Sequence, residues 1–283
     1  MSLTSFLKIP EVRKEFLNTF EFKSPMLSAQ LKAPPQTKNY SLVGTAFDYL
    51  LRFHLERLNH NSITRPWVAE GAVELTKPKP EIYEKLVAIL DAIKKVHTSF
   101  LKTGKLSDSI TTASIILAKL DLIYRVGRLE PNLLDFEDGD IIDLKNLISI
   151  TNYSLFKSKN ISILNPTFGI ASSMVGGADA DFIIDDTLID IKTTKNLKFE
   201  REHFDQLIGY YILSKIGGIY GINNHKIKKI AIYFSRHSIL HAIPVSNIEN
   251  NPRFNSFVEW FKNKAKNTFR ESNLKNLEPK SSL

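Results

Sequence analysis

Acidic side chains and a lysine fall at alternate positions around one short turn. The stretch is Gly176-Gly177-Ala178-Asp179-Ala180-Asp181-Phe182-Ile183-Ile184-Asp185-Asp186-Thr187-Leu188-Ile189-Asp190-Ile191-Lys192. Two apolar runs flank Asp185-Asp186-Thr187, the pattern of a β-hairpin. With the turn centred on Asp185 and Asp186, Asp181 faces Asp190 across the pair and Asp179 faces Lys192. Side chains alternate along a strand, so Asp179, Asp181, Asp190 and Lys192 share one face, and Phe182, Ile184, Ile189 and Ile191 share the other. A slip of one residue would destroy this segregation, so the pattern itself fixes the register. Like charges placed opposite each other in a sheet repel, and a divalent cation is the commonest reason to keep them. Mg²⁺ takes hard oxygen ligands, uses one or two protein carboxylates and keeps waters and substrate phosphates as the rest. A lysine beside such a pair can orient a water or balance charge on a phosphate, which completes the parts for metal-assisted hydrolysis of a phosphodiester. The plainer alternative is a surface hairpin whose polar face is solvated.

Asp181 followed by Asp190-Ile191-Lys192 resembles the D…(D/E)xK signature of the PD-(D/E)xK nuclease superfamily. Gln206-Leu207-Ile208-Gly209-Tyr210 is similar to the QxxxY motif of its RecB-like branch. Gly44-Thr45-Ala46-Phe47-Asp48 is similar to that branch's first motif, GxxxH on a helix, with Asp48 standing where the histidine would be. The resemblance implies a restriction-endonuclease-like core and a metal-dependent nuclease acting on DNA. It implies that Asp181 and Asp190, with the backbone carbonyl of Ile191, hold Mg²⁺ or Mn²⁺. Asp48 is an added ligand and Asp179 a second choice. Lys192 would position the attacking water, and Gln206 and Tyr210 would border the active site and the bound strand. Two other functions stay open: a catalytically inactive nucleic-acid-binding or assembly protein on the same fold, which the Asp48 departure favours, and a site-specific restriction-type endonuclease.

The chain of 283 residues carries a net charge of +8 and 43% apolar residues. That is enough to bury a substantial core, and the basic balance suits a polyanionic partner. There is no cysteine, which excludes disulfides, thiolate metal sites and cysteine nucleophiles, and with them the iron–sulfur cluster that some RecB-like nucleases carry. No apolar run reaches the length of a membrane span, and the N-terminus lacks the pattern of a secretory signal. No membrane partner is expected, the default location is cytoplasmic, and nothing points to a particular protein partner.

Helices must position the hairpin. Periodicity predicts one from Pro10, an irregular connection over 22–39, and a helix over about 42–58 that places Gly44 and Asp48 one turn apart on one face. Two more follow, from Pro80 to Lys102 with Gly104 as its stop, and from about Ser107 to Arg128. Arg125 and Arg128 either touch phosphates or favour the helix C-terminus. Residues 141–156 are helix or strand, and 161–175 give the first strand. A helix over 203–216 puts Gln206 and Tyr210 on one face. Strands over 226–235 and 238–245 follow, with Arg236 and His237 at their tip, within reach of a phosphate or simply polar turn residues. A last helix starts at Asn251-Pro252, with Phe254, Phe257, Val258 and Phe261 as its stripe. This order gives an α/β or α+β fold with a central mixed sheet flanked by helices. The chain is one nuclease domain, 1–283: a mainly helical portion over 1–155, a catalytic core over 156–270 and a flexible tail over 271–283.

Overall fold

The computed structural model describes residues 2–126 and 132–277. Its helical first half runs α1 (Leu3–Leu7), α2 (Pro10–Thr19), α3 (Tyr40–Leu58), α4 (Val68–Glu74), α5 (Pro80–Thr103), α6 (Asp108–Val126) and α7 (Asp138–Ser149). The second half runs β1 (Ser162–Leu164), α8 (Ile170–Met174), β2 (Phe182–Ile184), β3 (Thr187–Lys192), α9 (Arg201–Gly217), β4 (Lys229–Phe234), β5 (Ile239–Pro244), α10 (Ser246–Glu249) and α11 (Phe254–Leu277). The fold is mixed α/β. Local signals account for most boundaries. Pro10 and Pro80 open α2 and α5, where a missing N–H costs nothing. Gly104, at φ 67°, closes α5 in the left-handed conformation.

The five strands form one open mixed sheet in the order β1-β2-β3-β4-β5. Only β3 and β4 run parallel, joined by the α9 crossover. The other neighbours are antiparallel. Both faces of the sheet are covered. Phe182, Ile184, Ile189, Ala231 and Tyr233 pack with α3 to α7 in one core. Ile163, Ile183, Leu188, Ile230, Ile232 and Phe234 pack with α1, α2, α8, α9 and α11 in the other. The hairpin face carrying the carboxylates is therefore also apolar toward its turn, where Ile183 and Leu188 lie under α9; it is not an open polar surface.

Several elements differ from the sequence-based expectation. The first strand ends at Leu164 because Asn165 takes φ 57° and Pro166 follows; the rest of 161–175 turns into α8. Residues 138–149 are helical, as α7. The connection over 59–80 contains α4, and α1 precedes the helix at Pro10. The final helix extends to Leu277, so part of the stretch expected to be a flexible tail is helical. Residues 278–283 lie outside the described residues, as does Arg128.

Arg236 and His237 do not reach outward. Arg236 is 1% exposed and its guanidinium forks onto Asp143 of α7, Nη1 to Oδ1 at 2.7 Å and Nη2 to Oδ2 at 2.9 Å. It also donates to the Ala33 carbonyl at 3.0 Å. This buried pair locks the β4–β5 corner to the helical half. His237 is buried beside it. At the other side of the sheet, the Leu3 side chain lies against α9 where Gly209 has no Cβ; an added Cβ would sit 3.1 Å from Leu3 Cδ1.

Candidate active site

The hairpin adopts the register its pattern demands. Phe182 pairs with Ile189, Ile183 with Leu188 and Ile184 with Thr187, around a two-residue turn of Asp185 and Asp186. Asp185 sits at φ 49°, a conformation aspartate tolerates better than most residues. Its carboxylate accepts from the backbone N–H groups of Lys159, Asn160 and Ile161, the best at 2.7 Å. Those three bonds outweigh the effect of burial and hold its pKa below the usual carboxylate range.

Asp181 and Asp190 are the next facing positions in that register. Asp190 is 4% exposed, and Asp181 is half-buried. Here the strands part. The Ile191 amide donates to the Asp181 carboxylate at 2.5 Å instead of to a backbone carbonyl. Burial, then the charges of Asp48 and Asp190, push the Asp181 carboxyl well above its ordinary pKa. Lys192 lies beside Asp190, with Nζ 2.6 Å from Oδ2. Burial opposes the lysine charge, but Asp190 outweighs it and keeps the ammonium protonated. Asp179 and Lys192 lie beyond the paired residues of β2 and β3. The Asp179 backbone pairs with Thr167, because residues upstream of Phe182 follow the continuation of β1: Asn165 N–H donates to the Asp181 carbonyl at 2.9 Å and Ala180 N–H to Pro166 at 3.1 Å.

Helix α9 adds the second half of the site. Lys192 Nζ donates to Gln206 Oε1 at 2.9 Å, and Gln206 Nε2 donates to the Tyr210 hydroxyl at 3.1 Å. The i, i+4 spacing puts both α9 residues on one face, and together they form a chain from Asp190 through Lys192 and Gln206 to Tyr210. Burial and the neighbouring Asp190, Asp181 and Asp179 charges raise the Tyr210 pKa, so its hydroxyl keeps its proton. His203, one turn before Gln206, accepts at Nδ1 from the Glu200 N–H at 3.2 Å; burial, then the Lys192 charge, lower its pKa.

Helix α3 brings Asp48 to the same place. Gly44, one turn earlier, faces Thr193, 3.9 Å from where its Cβ would be. Asp48 acts on the Asp181 charge, and Arg52 Nη2 meets Asp48 Oδ2 at 2.5 Å. Arg52 itself is buried, with its guanidinium 4.3 Å over the Tyr49 ring. Asp48 is thus both a salt-bridged helix residue and a neighbour of Asp181. Arg52 lies one turn along α3 from Asp48, the i, i+4 spacing that lets a salt-bridged pair form on one helix face.

Among the described residues, no trio of His, Cys, Asp or Glu side chains gathers into a metal cage. Mg²⁺ and Mn²⁺ do not need one, since one or two carboxylates with water suffice for Mg²⁺. The donor set here is hard oxygen, and Asp181 has burial and the charges of Asp48 and Asp190 against its ionised form, which a bound cation would favour. These residues fit such a cation. No helix of the described residues is long and apolar enough to cross a membrane. In comparison with known proteins, no family model, no curated protein and no solved structure matches the chain.

Proposed function

We propose that the chain is a metal-dependent nuclease that hydrolyses phosphodiester bonds of DNA, on a restriction-endonuclease-like core of the PD-(D/E)xK type and in its RecB-like form. One observation carries the reading: Asp181 and Asp190 come together at the open end of a hairpin with Lys192 bonded to one of them, although like charges so placed repel. The net charge of +8 favours a polyanion, and the same reading puts the protein in the cytoplasm.

Asp181 and Asp190, with the Ile191 carbonyl, would hold Mg²⁺ or Mn²⁺, and Asp48 joins them if Arg52 yields. The bound ion supplies Lewis acidity, activating water and taking up charge on the phosphate. The chain's own groups do the positioning. An ammonium has three N–H donors. Two of those on Lys192 are engaged by Asp190 and Gln206, so the third is free to hold the attacking water or a phosphoryl oxygen. The bond to Gln206 fixes its direction, and Tyr210 fixes Gln206. Tyr210 keeps its own proton for donation to the substrate.

The test is incubation of the pure protein with linear, circular, single- and double-stranded DNA and with RNA, in Mg²⁺, Mn²⁺ or chelator. The expected result is metal-dependent cutting that Asp190→Ala and Lys192→Ala abolish without loss of fold. Equal cutting by both variants overturns the assignment. A second reading, a nucleic-acid-binding module without catalysis, is favoured by the Arg52–Asp48 pair, which occupies the would-be third ligand. Calorimetric titration with Mg²⁺ separates the two, because a binding module has no need to take up the ion at these carboxylates.

A further inference from the structure

A groove of about 660 Å³ opens beside the candidate site. Its volume lies within the range of about 300–1,000 Å³ of pockets that enclose a small organic ligand. Asp179 lines it together with Gly176, Gly177 and Ala178, so the groove adjoins the segment that leads into the hairpin carboxylates. Its walls are aromatic. Tyr124 of α6 and Tyr220 of the loop after α9 are 55% and 59% exposed, and Trp67 stands with them. Scattered exposed aromatics need no explanation, but aromatics gathered in one concavity do.

The groove also holds a cation with unmet hydrogen-bonding capacity. Arg65 lies over the Tyr220 ring, 4.7 Å from its centroid. Its Nε and Nη2 are shut off from solvent without a hydrogen-bond partner, which leaves Nη1 as the guanidinium nitrogen able to meet a ligand in the groove. The surroundings are built to hold this pair. Tyr220 N–H donates to the Thr167 carbonyl at 2.9 Å. Gly221, at φ 78°, leaves room for Arg65: a Cβ there would sit 3.1 Å from Nη2. A guanidinium beside exposed aromatic rings is the arrangement that takes a phosphate and its base together, because the rings stack on any base and the cation meets the backbone charge.

We infer that this groove is the subsite for single-stranded nucleic acid next to the cleaved bond, with one base stacked on Tyr220 and Tyr124 and a phosphate held by Arg65. The subsite rests on the nuclease reading for its place beside the scissile phosphate; its binding chemistry does not. Occupation by a base also requires an unpaired strand there, so the preferred substrate is single-stranded or has a frayed end.

The test is fluorescence anisotropy with labelled oligothymidine, oligouridine and an abasic strand of equal length, in chelator, alongside cleavage in Mg²⁺. The wild-type chain should bind both base-bearing strands more tightly than the abasic one. Tyr124→Ala and Tyr220→Ala should each weaken that binding by about 5- to 150-fold, the range of one base–aromatic stack, and remove the preference over the abasic strand. Tyr124→Phe and Tyr220→Phe should restore both. Arg65→Gln should lower the slope of log affinity against log salt by about 0.7, the share of one phosphate on a single strand. The DNA and RNA arms identify the sugar. If the alanine variants bind as the wild type does, or no strand binds, the subsite is overturned. Metal-dependent cutting that persists unchanged in these variants removes the subsite and leaves the nuclease reading. Ring-dependent binding without cutting removes the nuclease reading and leaves the subsite.

Discussion

Replacing Asp181 by asparagine removes one of two like charges just beyond the paired end of β2 and β3 while keeping an oxygen to accept from the Ile191 amide. Two carboxylates about 6 Å apart at an effective dielectric of about 20–40 repel by about 1.5–3 kcal/mol. Lys192 offsets part of this through Asp190, and Asp181 is half-buried rather than sealed, so about 1–2 kcal/mol of relief is a fair expectation. A chain of this length unfolds with an entropy of about 0.6 kcal/mol per kelvin, so in chelator Asp181→Asn should melt about 2–3 °C above the wild type. Free Mg²⁺ at about 100 times its dissociation constant stabilises a native-state site by about 2.7 kcal/mol, about 4–5 °C here. The wild type should gain this and the variant little or none of it, so the order of melting reverses between chelator and Mg²⁺. Differential scanning fluorimetry in both buffers reads the crossover, with Asp190→Asn as a second variant. A variant that melts below the wild type in chelator, or a wild type that Mg²⁺ leaves unmoved, refutes the reasoning that links the facing carboxylates to a cation.

Other outcomes follow from the same geometry. Gln206→Ala frees Lys192 from its fixed direction and should lower the cleavage rate by about 10- to 100-fold, the usual cost of losing such a supporting bond, with little change in melting temperature; a rate equal to wild type would show the relay to be idle. Asp143→Ala strands the Arg236 guanidinium in the core and should cost about 3–5 kcal/mol, while Asp143→Leu with Arg236→Met should recover much of that, as read by urea unfolding. Asp185→Ala should destabilise the hairpin. Because its folded pKa is depressed, Asp185 contributes its full stability above the unfolded value of about 4. The gap to the wild type should therefore be complete at neutral pH and narrow as pH falls through the folded pKa. A gap that widens on acidification would contradict the three backbone bonds to Asp185.

The parts legible in the sequence were those set by local period. Alternation around Asp185-Asp186 gave the hairpin register, and the i, i+4 spacing of Gln206 and Tyr210 put them on one face of α9. Proline and glycine marked the ends of α5. What escaped was set by distant partners. Nothing local to Arg236 announces Asp143, so a buried clamp read as a polar turn. The double burial of the sheet was hidden because Ile183 and Leu188 need α9 above them to count as core. The β2–β3 ladder stops at Phe182 and Ile189, while the β1 side keeps its register as far as Thr167 and Asp179. A ladder that continues on one side of a strand and stops on the other leaves no periodic trace.

The seat of Leu3 against Gly209 has a consequence for how the protein is handled and controlled. Gly209 lies between Gln206 and Tyr210, so the opening turn of the chain braces the helix segment that aims the lysine. Anything that prises the N-terminus away, whether a bulky fusion, a protease nick near Pro10 or a Gly209→Leu exchange, would tilt that segment. Such a protein would remain folded and yet fall silent, its chemistry switched off from the far side of the molecule.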